Sequence, residues 1–217
     1  MSKHHVLYPD KIGLVDQAEV QDDTFHNVDN LLTNGFNDFQ LGTEAISVTK
    51  GHESFEPEIF TPNGHLKIDS LITARMCSIQ LTLGAWYHAV QAIREGMHPD
   101  DVATDYQVNL SGAAGTPDVS DAEAAVAPET LINQQFTLLV RFPIRNPSDK
   151  HLYLYVPKCA VVGDQPESTM QLDSQQTPAV NLEALALLDT ELAKHQGIFS
   201  GVNASNVAYF FTAGPAA

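Results

Sequence analysis

Positive charge is what this sequence has least of. Eleven Lys and Arg stand against 27 Asp and Glu, a formal net charge of −16. A surface that grips nucleic-acid phosphates needs clustered cations, so this balance argues against one. Long apolar runs are also missing. No stretch reaches the roughly 18 consecutive apolar residues of a membrane-spanning helix. The opening "MSKHHVLYPDK" has no apolar core and no small-residue cleavage site, so it does not read as a secretory signal. Cysteine is scarce. Cys77 and Cys159 are the two in the chain, each inside an apolar strand-like run and without CxxC spacing. They are expected to be reduced and buried, with a bridge between them the minor alternative.

Catalytic signatures are absent as well. There is no Walker loop, GxGxxG, GxSxG or HExxH. "SGAAG" at Ser111–Gly115 lacks the Lys and Ser/Thr of a phosphate loop. Of the nine histidines, His4 and His5 are adjacent near the start and the other seven are scattered singly, and none pairs with another ligand at metal spacing on one element. Paired carboxylates carry no signal here, because some of 27 acids will always lie close together. The residues therefore point away from an enzyme, and no metal or cofactor is expected.

What is present is β patterning. Ten Phe, six Tyr, one Trp and 43% hydrophobic residues are enough for a packed core in one domain. Residues 1–38 are polar and irregular and read as an N-terminal arm, with Val28, Leu31, Leu32 and Phe36 as its apolar pieces. From Phe39 strand-like runs follow at short spacing: "AISVT", "ESFEPEIF", a turn at "TPNG", then "HLKIDSLI". Pro57 marks an edge or a bulge, since proline cannot donate to a ladder. In "CSIQLTL", Cys77, Ile79, Leu81 and Leu83 share one face, and Ser78, Gln80 and Thr82 share the other. This period of two predicts a half-buried strand. The apolar phase flips at Met76–Cys77, which predicts a bulge or a change of packing partner. Beyond Gly84, Trp86, Ala89, Val90 and Ile93 recur at helical spacing, with Gly96 as the C-cap.

Further on, Ala113–Glu129 has two prolines, four acids and no base, and reads as a long mobile loop. Phe136, Leu138, Val140 and Phe142 form one strand phase. In the next strand Leu152, Leu154 and Val156 oppose Tyr153 and Tyr155. "PAVNLEALAL" alternates as a strand with Val180, Leu182, Ala184 and Ala186 on one side. A helix over 182–194 remains open at this point. One more apolar run, "NVAYFFTAG", lies in a C-terminal extension, 191–217. About eight strands with one clear helix predict an antiparallel β-sandwich or barrel with one flanking helix. It would span 39–190, with the loop at 113–129 and the arm at 1–38.

The order of these features resembles the major tail (tail tube) proteins of long-tailed bacteriophages. The likeness is carried by "FQLGTEAISVTKGHESFEPEIFTPNG", by "CSIQLTLGAW" with its helix, by "YLYVPKCAVVGD" and by "QQTPAVNLEALAL". It runs from about Phe39 to Leu188. The loop at Ala113–Glu129 and the C-terminal tail depart from the pattern. The resemblance implies a β-sandwich with a flanking helix whose copies form hexameric rings that stack into a tube. DNA would pass through the lumen without specific binding, and no membrane insertion is implied. Tape-measure, tail terminator and baseplate proteins would be its partners, in the virion tail, after assembly in the host cytoplasm. On this reading Ser78, Gln80 and Thr82 line the lumen or an inter-subunit surface. Cys77, Ile79, Leu81, Leu83, Trp86, Ala89, Val90 and Ile93 form the core. An acidic lumen would repel DNA and let it slide. Two other classes fit less well: another virion β-sandwich (terminator, capsid decoration or baseplate hub protein), and a non-viral β-sandwich binding module, for which a single Trp on an apolar helix face is a poor platform.

Overall fold

The computed structural model describes residues 9–21, 27–35, 41–55, 58–61, 64–67, 71–83, 92–97, 134–144, 150–163, 165 and 178–214. The chain is mainly β and antiparallel. In order, the strands are β1 (Lys11–Asp16), β2 (Leu41–Phe55), β3 (Glu58–Thr61), β4 (Gly64–Lys67), β5 (Leu71–Leu83), β6 (Gln135–Pro143), β7 (His151–Val161), β8 (Ala179–Ala184) and β9 (Tyr209–Ala213). The helices are α1 (Gln17–Gln21), α2 (Val28–Asn34) and α3 (Asp189–Ile198). Seven strands form one sheet in the order β1-β6-β7-β8-β5-β2, with β9 also paired to β7, while β3 and β4 form a separate hairpin.

β7 is where this sheet forks. One of its edges pairs with β6 along nearly its whole length. Its other edge is divided: His151–Tyr155 pairs with β9, and Cys159–Val161 pairs with β8. The division falls at Pro157. Phe136 faces Cys159 and Leu138 faces Val156, so Thr137 alone opposes Pro157 and Lys158. That extra residue is a bulge, the place in a central strand where proline's missing N–H is tolerated. It also shifts the phase. Leu154 and Val156 face the inner core, and after the bulge Cys159 and Val161 do.

Two cores result. The inner one lies within the curled sheet and collects Ile12 and Leu14, the apolar face of β5, Phe136, Leu138 and Val140, and Val180, Leu182 and Ala184. The outer one lies on the other face of β6 and β7. Leu139, Tyr153 and Tyr155 there meet Val20, Leu31, Leu32, Val202 and Tyr209, with Leu192 and Ile198 of α3 packed alongside.

Several expectations need correction. The segment read as an arm carries β1, which pairs with β6 over its whole length. Its run "IGLV" is buried on both faces, so it shows no alternation to read. Gly13 is required there, because a Cβ would sit 2.3 Å from the carbonyl oxygen of Leu31 in α2. The C-terminal extension supplies most of α3 and all of β9, both packed on β7 or the outer core. The bulge in β5 falls at Thr73, between the pairs Glu53–Ala74 and Ser54–Ile72, a few residues before the phase flip. The strand after Pro178 ends at Ala184, Ala186 is exposed, and the helix begins at Asp189, so 182–194 holds both structures in succession. The helix starts where Glu191 turns back to accept the Leu188 N–H at 2.8 Å. Among the described residues, α1, α2 and α3 accompany the sheet in addition to the helical residues 92–94, where one flanking helix was expected.

Candidate functional site: an uncharged polar face

β5 is the centre of the surface of interest. Cys77, Ile79, Leu81 and Leu83 are at most 1% exposed, while Ser78 and Gln80 are exposed and Thr82 is half-buried. The neighbouring strands extend both faces. On β2, Ser47 lies opposite Gln80 and Thr49 opposite Ser78. On β8, Asn181 lies opposite Gln80 and Glu183 opposite Ser78. The outward face of three strands is thus hydroxyl and amide, with Glu183 its one charge among these residues. In a chain this acidic, so uncharged a face is a distinct surface. It can form many weak hydrogen bonds to water or to another polar surface, and it offers no cation to a phosphate.

Two side chains finish the β8 edge where β7 has ended. Gln165 accepts the Asn181 N–H at 3.0 Å, and Arg94 donates to the Ala179 carbonyl at 3.0 Å. The far edge of β2, by contrast, pairs with no strand among the described residues. Of the helix expected after Gly84, Ile93 is buried in the inner core. Trp86, Ala89 and Val90 lie outside the described residues, as do Pro57, Phe36 and the loop at 113–129. Gly96, at φ 78°, ends that helix. The Gly96 N–H bonds to the Ile93 carbonyl and the Met97 N–H to that of Ala92, the paired bonds of a Schellman cap.

A buried set of titratable and polar side chains joins α1 and α3 to β6 and β7. The Gln17 amide nitrogen lies 2.9 Å from His195 Nε2, and the Tyr155 hydroxyl 2.6 Å from Nδ1. The Thr137 hydroxyl lies 2.8 Å from both Gln17 Oε1 and the Pro157 carbonyl. With Nε2 accepting from the amide, Nδ1 carries the proton and donates to Tyr155, so the ring is neutral. Burial pushes the His195 pKa down to about 4, with Glu191 opposing and Lys158 assisting. Burial would raise Glu191, but hydrogen bonds from Lys158 and the Leu188 N–H, with the charge of Lys158, hold it below its ordinary value. Lys158 Nζ reaches Glu191 at 2.8 and 3.1 Å. Cys77 and Cys159 are free and buried, and burial raises both thiols.

This chain of Gln17, Thr137, Tyr155 and His195 was not anticipated from the sequence. Its four members are spread over 178 positions and share no spacing. Among the described residues, no three His, Cys, Asp or Glu gather as a metal site. No helix among them is long and apolar enough to cross a membrane. No protein-family model matches this sequence, and no curated protein matches it significantly.

Proposed function

We propose that this chain is a structural virion protein that assembles with copies of itself into stacked hexameric rings, the tail tube of a long-tailed bacteriophage. The observation that carries this reading is β2. It is a 15-residue strand at the sheet edge, on the margin of a polar face of hydroxyls and amides with Glu183 as its one charge among the residues named. At about 3.4 Å per residue it offers some 50 Å of edge. A monomer normally blunts or covers such an edge, whereas a ring closes it with the next subunit. Ser78, Gln80 and Thr82 then face either the lumen or the neighbouring copy, as a wall that does not hold phosphate. The net charge of −16 acts in the same direction by repelling a passing polyanion. Tape-measure, terminator and baseplate proteins would meet the tube at its interior and ends. No catalytic role is assigned.

Negative-stain microscopy of the purified protein tests this. Rings or tubes of even diameter are expected, appearing as concentration rises. Single chains persisting at high concentration, with no polymer in lysates, would sink the proposal. The double substitution Ser78→Lys/Gln80→Lys should abolish tubes while leaving the melting temperature within a few degrees.

A further inference from the structure

The inner face of β2 and β5 changes character at one end. From the core outward, β2 presents Ile46 and Val48, then Lys50 and His52. Opposite them β5 presents Ile79, Cys77 and then Arg75. The apolar interior thus opens into a cationic mouth, a cleft of about 270 Å³. Lys50, His52 and Arg75 line it with Met76, and Asn206 and Val207 close its other side. Lys50 is held in place, donating to the Ala208 carbonyl at 2.9 Å with its ammonium 4.9 Å from the Phe210 ring centre. Among the described residues, none that lines the cleft is a carboxylate. With only 11 Lys and Arg in the chain, the nearness of Lys50 and Arg75 is conspicuous. Its complement is a carboxylate-bearing ligand.

The other end of the same strands indicates which ligand. Arg94 bonds to Ala179, which pairs with Thr82, so residues 92–97 sit at the far end of β5 from Arg75. The seven residue-to-residue steps from Arg75 to Thr82 span about 24 Å. At that far end Gln134 N–H bonds to the Gly96 carbonyl at 3.0 Å, so the chain between Met97 and Gln134 leaves and returns at one place. That stretch contains Ala113–Glu129, with Asp118, Asp121, Glu123, Glu129 and no base.

We infer that the Lys50–His52–Arg75 cleft receives the acidic 113–129 segment of a second copy of this chain. The base lies at one end of these strands, and Met97 and Gln134, which flank the acidic stretch in the sequence, lie at the other, an arrangement suited to a head-to-tail contact that repeats from copy to copy. It rests on the self-assembly reading and assigns a surface to the stacking of rings, as distinct from closure within a ring.

The test is titration of a fluorescent peptide of residues 113–129 into the full-length protein, diluted until sedimentation gives single chains. Saturable binding is expected. It should weaken by about tenfold or more in the Arg75→Gln/His52→Gln double variant and with a peptide carrying Asn or Gln at its four acids. Circular dichroism and melting check that the variant is folded. No saturable binding, or binding indifferent to both changes, overturns the inference. So does binding that appears only when the protein's own 113–129 acids are neutralised, since the segment would then fill its own cleft. The outcomes separate the two proposals. Peptide binding without tubes in micrographs counts against the tube alone, and tubes without peptide binding count against the cleft alone.

Discussion

The two cores of this protein are built on opposite principles. The inner core is almost wholly aliphatic, with Phe136 and two thiols, and its buried members are all apolar. The outer core is aromatic and polar. Tyr153 stacks on Phe211 at 5.2 Å and Phe211 on Phe199 at 4.5 Å, beside the buried chain of Gln17, Thr137, Tyr155 and His195. One is held by exclusion of water, which has no direction. The other adds hydrogen bonds that fix where α1 and α3 sit on β6 and β7, and a buried polar group left unpaired is costly. The strands that face both cores, β6 and β7, couple a non-directional packing to a directional one.

The largest contrast should come from substitutions in the inner core. Leu81→Asp is expected to prevent folding, because an unpaired carboxylate would be buried there. Leu81→Ala should cost about 2–5 kcal/mol in denaturant unfolding, with little dependence on pH near neutrality. If Leu81→Asp folds, β5 is not the buried wall described here.

The outer core should instead respond to pH. His195 has a folded pKa of about 4, below its ordinary 6.5. The unfolded chain therefore takes up the proton first as pH falls. The stability that the neutral ring contributes is complete above about pH 6.5 and declines between there and pH 4, at up to about 1.4 kcal/mol per pH unit. Glu191, held below its ordinary value, adds a loss in the same direction at lower pH. Melting curves from pH 7 to 4 read this slope, and His195→Gln should flatten it. An unchanged slope in that variant would assign the dependence elsewhere. Tyr155→Phe strands the Nδ1 proton and should cost about 1–3 kcal/mol at pH 7.

Smallest of all should be Gln80→Ser on the outer polar face, within about 0.5 kcal/mol of the parent. A large loss there would mean that the face is packed within the subunit rather than presented outward.

Legibility followed the same division. The inner core could be read because its strands alternate: Cys77 to Leu83, Phe136 to Phe142 and Val180 to Ala184 each show a period of two. β1 could not be read, because "IGLV" is buried on both sides and Gly13 answers to α2, not to its own strand. The bulge at Pro157–Lys158 was hidden too, since a one-residue shift inside "YVPKCAVV" resembles any apolar run. The outer core had no local signal. Gln17 and His195 become neighbours only because α1 and α3 dock together on the outer face of β6 and β7.

Alternation, turn residues and composition, all local properties, were therefore enough to specify a mainly β antiparallel chain with an apolar and a polar side to β5. Period-two patterning reports one exposed face at a time, and it needs no partner to be visible. Which strands lie side by side, the fork at β7, the polar lock around His195 and the cationic mouth at Lys50 and Arg75 depended on tertiary structure. Each is made by residues distant in sequence, brought together when burial of one face dictates what its neighbour must cover.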